Sequence, residues 1–240
     1  NRLSQKKSFR SYIYMNLKYF KALFLNLNKS TDRLEFITSQ LKKTKLSYER
    51  IKAIDGLLMD DKEKYLSRKL FKCMSCIPQN IYKRVGLFRS QMKALQYAID
   101  NKYNGVLILE DDVELLSDFD VDVDIPEDCH ILYLNGGLFT KNKKEEFDKS
   151  TLEPNSVVRI KDFKLVGAYA YIIPSLEKIK EVYDILIFNK MTTYDIALIN
   201  YIQSLGTCYL YTNKLVQHRD DFDSTITKSW NSCYKIKSIL

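Results

Sequence analysis

Apolar residues along the chain gather in short, nearly continuous runs separated by stretches of helical period. That order predicts strands buried on both faces, alternating with helices. Residues 22–27 are the first such run, followed by the polar stretch Asn28, Lys29, Ser30 and Thr31, then by Leu34, Ile37 and Leu41 at helical spacing. Asp32, with Glu35 three residues on, reads as the start and cap of that helix. Residues 46–54 form a second strand closed by Asp55 and Gly56, so the chain opens on a β-α-β unit with parallel pairing. Residues 57–85 lose clear periodicity and are expected to be irregular, as a lid or an insertion. A helix over 90–101 comes next, with Met92, Leu95 and Ile99 on one face, and Asn104-Gly105 turns the chain into Val106-Leu107-Ile108-Leu109, its most apolar strand. Further strands are expected at 131–134, 168–173 and 207–212, and a charged loop at 141–149. Leu176, Ile179, Tyr183 and Leu186 mark one late helix; Ile196, Ile199 and Ile202 mark another, stopped by Gly206. The pattern predicts a single α/β domain over 21–226 with a mostly parallel sheet. A basic N-terminal extension, 1–20, precedes it and a tail, 227–240, succeeds it.

Composition agrees with one domain. A chain of 240 residues, 45% hydrophobic, is long enough for one substantial core and too short for two large ones. Only 7 Gly and 4 Pro argue against a turn-dense all-β sandwich or barrel. No apolar run reaches the roughly 18 residues that a membrane helix needs. The start is basic, but Asn16, Lys18 and Lys21 interrupt the stretch after it, so no signal-peptide core is read there; compartment stays open between cytoplasm and secretory-pathway lumen. Cys73 and Cys76 form a single C-x-x-C without a second pair at zinc-finger spacing, and Cys129, Cys208 and Cys233 are read with them as free thiols.

Charge changes the picture more. The chain carries +8, yet residues 110–128 hold ten acidic side chains and no basic one, so the rest carries a net +18. A basic body around an acidic centre suits a phosphate-bearing ligand held through a metal; counterion release on nucleic acid and a solvated Lys-rich surface compete with it. Within the centre, Val106 to Leu109 run directly into Glu110-Asp111-Asp112, and ligands of open α/β sheets sit beyond the carboxyl ends of strands. Three adjacent carboxylates repel unless a cation neutralises them, and hard oxygen ligands select Mg²⁺ or Mn²⁺. The D-x-D letters alone do not single this site out, because Asp118 to Asp124 repeat them by simple alternation with Phe119, Val121 and Val123, and Asp221-Phe222-Asp223 matches too. That alternation predicts a half-exposed extended segment. His218, in a polar segment, closes the metal site or is a surface histidine; His130 reads as structural. Asp195 precedes the last helical stripe, where an N-terminal capping role competes with that of a catalytic base.

Six segments in order resemble glycosyltransferase family 25, the group of lipooligosaccharide and collagen galactosyltransferases. They are residues 24–33, 48–56, 86–95, 107–113 and 166–173, and Val216-Gln217 near the C-terminus, spanning about 22–226. Two departures stand out: Ser90-Gln91 where the family has Ser-His, and poor matching over 57–85. The resemblance implies a GT-A fold, a Rossmann-like sheet flanked by helices that binds a UDP-sugar and a glycan or glycoprotein acceptor from the opposite side. It implies that Asn26, Asp32 and Arg33 contact the nucleotide or brace its pocket, and that Asp55 and Gly56 lie near uracil or ribose. It places Glu110 and Asp112, with His218, on Mn²⁺ or Mg²⁺, Asp111 facing the sugar or ribose, and Gly167, Ala168 and Tyr169 on the acceptor side. The expected reaction is an inverting transfer of galactose or glucose, with Asp195 as base and Asp111 beside the donor. A binding protein that has lost catalysis, a nucleic-acid-binding domain and a phosphohydrolase are the alternatives; the second is disfavoured by the acidic site.

Overall fold

The structure, a computed structural model, describes residues 11–70, 78–140, 151–161, 163–189 and 192–219. In chain order its strands begin with β1 (Tyr12–Asn16), β2 (Lys21–Asn26), β3 (Tyr48–Lys52), β4 (Val106–Glu110) and β5 (Val113–Leu115). They continue with β6 (Asp122–Pro126), β7 (Ile131–Tyr133), β8 (Gly137–Thr140), β9 (Val157–Arg159) and β10 (Phe163–Val166), then β11 (Ala170–Ile173), β12 (Cys208–Tyr211) and β13 (Val216–His218). The α-helices are α1 (Thr31–Leu41), α2 (Asp61–Leu70), α3 (Pro78–Asp100), α4 (Leu176–Phe188) and the short α5 (Tyr194–Ala197).

Seven strands form the central sheet in the order β3-β2-β4-β11-β7-β12-β9. The expected β-α-β unit is present: β2, α1 and β3, with β3 and β4 both parallel to β2. The sheet is nevertheless mixed rather than mostly parallel. β11 runs antiparallel to both β4 and β7, and β9 antiparallel to β12, while β7 and β12 are parallel. A run such as Ala170-Tyr171-Ile172-Ile173 is buried on both faces whichever way it points, so its apolar letters carry no direction.

Both faces of the sheet are covered, and side chains alternate between two cores. Leu23, Ile108, Tyr133, Tyr171 and Leu210 pack on one side with Leu95 and Ala98 of α3 and Ile179 and Val182 of α4. Phe24, Leu107, Leu132, Ile172 and Tyr209 pack on the other with Ile37 and Leu41 of α1. The ribbon of β1 paired antiparallel with β6 closes that second core through Leu17, Phe119, Val123 and Ile125. The Asp/apolar alternation is therefore seen as read, with Asp122 and Asp124 exposed and Val123 and Ile125 buried. Asp120 differs: Lys18 and Lys45 bind it at 2.8 and 2.6 Å and Asn16 at 3.0 Å, stitching the ribbon to the chain after α1.

Other expectations need correction. Residues 12–16 of the supposed N-terminal extension are strand β1, and Leu17 and Phe20 after it are core. Residues 57–85 are not irregular where described, since they hold α2 and the first turns of α3; α2 is too polar to show a clear stripe. α1 begins one residue before Asp32, with Ser30 at its cap position, and Asp32 sits in the first turn, where its charge suits the helix dipole. Residues 216–218 add a strand after β12. Cys129 and Cys208 are free and buried. Residues 141–149, Cys73, Cys76, Cys233, Asp221 to Asp223 and the tail 227–240 lie outside the described residues. Among the described residues no helix is long and apolar enough to cross a membrane.

At the β2–β3 edge, Glu49 accepts from Lys21 at 2.8 Å, from Tyr103 at 3.0 Å and from Tyr97. The Lys21 and Tyr97 bonds pull its carboxyl down to about 2 from an ordinary 4.5. A depressed carboxyl stabilises the fold above its ordinary value, and the effect fades as pH falls toward the depressed one. Glu49→Gln should therefore lower the melting temperature at pH 7, and melting curves of the two proteins should converge between about pH 4.5 and 2.

Candidate functional site

The chain leaves β2 through α1 to β3 on one side, and β4 then joins β2 on the other side. Helices α1 and α3 accordingly lie on opposite faces of the sheet. The crevice between the carboxyl ends of β2 and β4 is the sheet's topological switch point, where α/β folds hold ligands. Asn26 ends β2, and Glu110 ends β4 with Asp111 and Asp112 in the turn beyond it.

Asp111 and Asp112 are nearly buried, and Arg33 from α1 reaches both. Its Nη1 donates to Asp111 Oδ1 at 3.1 Å and to Asp112 Oδ2 at 2.9 Å. Asn26 Nδ2 donates to Asp111 Oδ2 at 2.6 Å and to the Ser30 carbonyl at 3.0 Å. Two acceptors remain buried without a partner, Asn26 Oδ1 and Asp112 Oδ1. Burial pushes the Asp111 carboxyl up, with Asn26 and Arg33 opposing it. Burial also presses on Asp112, but His218 and Arg33 outweigh it and its net shift is down.

His218 arrives by register. β13 pairs antiparallel with β5, setting His218 opposite Val113, and the Arg219 amide donates to the Asp112 carbonyl at 3.0 Å. His218 Nε2 then lies 3.6 Å from Asp112 Oδ2. Its ring stands against Tyr169, centroids 5.4 Å apart. Among the described residues, no three or more His, Cys, Asp or Glu side chains converge as a ready-made metal cluster.

Glu110 meets a different set of partners. Its Oε1 is 3.5 Å from Gln91 Nε2, while Tyr171 donates to Gln91 Oε1 at 2.9 Å and shares a 2.7 Å hydroxyl contact with Tyr194. Burial, then Asp112 and Asp195, hold the Glu110 carboxyl well above its ordinary range. Asp195 comes directly after Tyr194. It does not cap α5, a role taken by Thr193, whose side chain accepts from the Ile196 amide. Asp195 Oδ1 instead accepts from the Ala168 amide at 3.0 Å, and burial raises its carboxyl against the pull of the Ala168 and Gly167 amides. Glu110 and Asp195 are both half-buried.

The Gly167-Ala168-Tyr169 turn links these parts. Gly167 has φ +99°, Ala168 rests on Asp195, and the Tyr169 carbonyl accepts from the Glu110 amide at 2.8 Å. Beside the crevice, a cavity of about 470 Å³ opens between the loops after β2 and β3 and the helices α2 and α3, lined among others by Lys29, Asp55, Leu58, Met59, Glu63 and Arg89. Lys29 pairs with Asp55 at 2.5 Å and Arg89 with Glu63 at 2.7 Å. Gly56 is buried against the helix instead, since a Cβ there would meet the Tyr82 carbonyl oxygen at 1.8 Å. Asp32 is exposed on the first turn of α1. His130 is structural, held between Thr207 at 2.7 Å and Glu181 at 2.6 Å.

The sequence reading missed Tyr171, Tyr194, and the α2 and α3 residues of the cavity. For the first two, a signal existed in Gln91, a polar residue on the apolar helical stripe of Phe88, Leu95 and Ala98. Glu63 and Arg89 gave none, because surface-type charges in amphipathic helices look alike whether they line a cavity or face solvent.

Fold and crevice define an α/β domain with a group of buried carboxylates at the switch point of its sheet. Residues 20–174 match glycosyltransferase family 25, described as LPS biosynthesis protein, and the chain belongs to that family. It is a glycosyltransferase, which takes a sugar donor and an acceptor as substrates. No curated protein matches the chain.

The Gly167 turn is open to a direct test. A Cβ there would sit 2.9 Å from the Tyr169 ring in a conformation that side chains rarely adopt. Gly167→Ala should destabilise the protein by about 1–2 kcal/mol, measured by chemical denaturation.

Proposed function

We propose that the protein transfers a hexose, galactose or glucose, from a UDP-sugar to a hydroxyl of a glycan or glycoprotein acceptor, with inversion and with help from Mn²⁺ or Mg²⁺, on a GT-A arrangement of the sheet. The observation that carries this is the Asp111–Asp112–His218 group, set at the switch point and flanked by the cavity at Lys29 and Asp55. The cavity is roomy enough for a nucleoside, and the two-residue stretch Leu27-Asn28 that borders it continues directly from Asn26. Exposed Leu58 at its lip offers an apolar surface to a base.

The donor set suits a cation only in part. Asp112 Oδ1, buried and without a partner, and the neighbouring His218 would hold it. Glu110, expected as a third ligand, lies against Gln91 and is not grouped with them, so diphosphate oxygens would supply the remaining ligands, as Mg²⁺ sites commonly arrange. When bound, such a cation neutralises charge developing on the departing diphosphate. The chain's own residues do the rest. Asn26 and Arg33 fix the direction of Asp111, which faces the sugar or ribose. Asp195, half-buried beside the Gly167 turn, takes the proton of the acceptor hydroxyl as that oxygen bonds to the anomeric carbon and the bond to the diphosphate breaks. A carboxyl raised by burial is a stronger base than an ordinary one, and its partly exposed setting lets an acceptor reach it. Tyr169, beside His218 and one residue from the Asp195-bound amide, lines the acceptor side.

A panel of UDP-sugars, with and without Mn²⁺, read as UDP release, tests the proposal. UDP-galactose or UDP-glucose should be turned over with Mn²⁺ only, and Asp112→Ala should abolish that turnover while the variant still melts cooperatively. Turnover retained by Asp112→Ala, or no UDP release from any donor, would sink the assignment.

A further inference from the structure

Arg33 sits between the two carboxylates that follow β4. Its side chain is almost wholly buried, on the same helical face as the core residues Ile37 and Leu41. It engages one oxygen of Asp111 and one of Asp112, and Asn26 engages the second oxygen of Asp111. Of the four oxygens in this carboxylate pair, Asp112 Oδ1 is the one buried without a partner. A divalent cation asks for about six ligands. One carboxylate oxygen and the His218 ring fall well short of that number. Placing a free dication beside a buried guanidinium also sets like charges together in a poorly solvated space.

Resting on the proposed donor-site role of these carboxylates, we propose that Arg33 is a positioning residue acting as a built-in counter-ion. It keeps free cations out of the Asp111–Asp112 pair, so that cation and nucleoside diphosphate enter the site together. The diphosphate brings both the missing oxygen ligands and the negative charge that lets a dication sit near Arg33. Without Arg33, two oxygens are released, so the two like charges offer three in all, and a dication alone becomes the natural partner for them.

The test is Mn²⁺ binding measured by calorimetry and by the Mn²⁺ paramagnetic resonance signal, without and with UDP, on wild type, Arg33→Met and Arg33→Lys. Wild type should bind Mn²⁺ detectably only when UDP is present, and its melting temperature should rise with the two together but not with Mn²⁺ alone. R33M should melt lower than wild type, gain Mn²⁺ affinity in the absence of UDP by about tenfold or more, and recover stability on adding Mn²⁺ alone. R33K, which keeps the charge, should stay near wild type. A merely structural arginine would give a less stable R33M with no gain in Mn²⁺ affinity, and that result overturns the proposal, as does an R33K that gains Mn²⁺ as R33M does. Mn²⁺ binding to wild type that is as tight alone as with UDP overturns the counter-ion role and leaves the donor site standing. Failure of wild type to bind Mn²⁺ and UDP under any condition overturns both. Should R33M not fold, Arg33→Gln, likewise uncharged, takes its place, and presence or absence of the gain in Mn²⁺ affinity without UDP decides.

Discussion

Two aspartates in succession at the end of a buried strand repel, and burial makes that repulsion worse; the Arg33 guanidinium, 3.1 and 2.9 Å from them, is the contact that lets β4 end where it does. Much else depends on it. Arg33 ties α1 to the end of β4, so the helix that completes the first β-α-β unit is also fastened across the switch point. Asn26 can then hold Asp111 from β2, and His218 meets an Asp112 that is already oriented. Burying an ion triad is rarely a gain in stability over apolar packing, so stability alone does not account for this one.

The two sides of the sheet divide the labour around that triad. On the α1 side lie Asn26, Arg33 and Asp111. On the α3 and α5 side, Gln91, Tyr171 and Tyr194 run back from Glu110 toward Asp195. The turn at Gly167 joins the two, with its amides on Asp195, the Tyr169 carbonyl on the Glu110 amide and the Tyr169 ring on His218. A shift of α5 would thus be felt at the Gly167 turn and at the carboxylates. The π turn Leu198–Ile202 immediately after α5 is the kind of irregularity that often accompanies a functional site.

Much of the fold was legible because its strongest elements have strong letters. β2, α1, β3 and β4 were readable as a βαβ unit running into a carboxylate-ended strand, and that alone located the crevice. The α1 stripe was read correctly at Ile37 and Leu41, with Leu34 half-buried against the same core; what its letters did not show is that Arg33 is buried beside them. A charged residue in an apolar stripe is easily passed over, though here it is the informative one. Strand direction was not legible, because β11 is buried on both faces. Strands of three residues, such as β5, β9 and β13, are too short to show any period, so His218 could be named as a candidate ligand while the pairing that carries it to Asp112 stayed hidden.

The position of β12 has a consequence for how the molecule is made. β9 joins the sheet only through β12, which is synthesised about fifty residues later, and β13 must return to β5 across roughly a hundred residues. A nascent chain that has emerged as far as β11 can assemble β3, β2, β4, β11 and β7, but β9 then has no neighbour and the acidic turn has no histidine. Contacts of such long sequence separation form slowly. The strand that finishes the sheet and the strand that brings His218 to Asp112 both come after everything they pair with, so a polypeptide stopped short of them has a partial core and an acidic turn without its histidine.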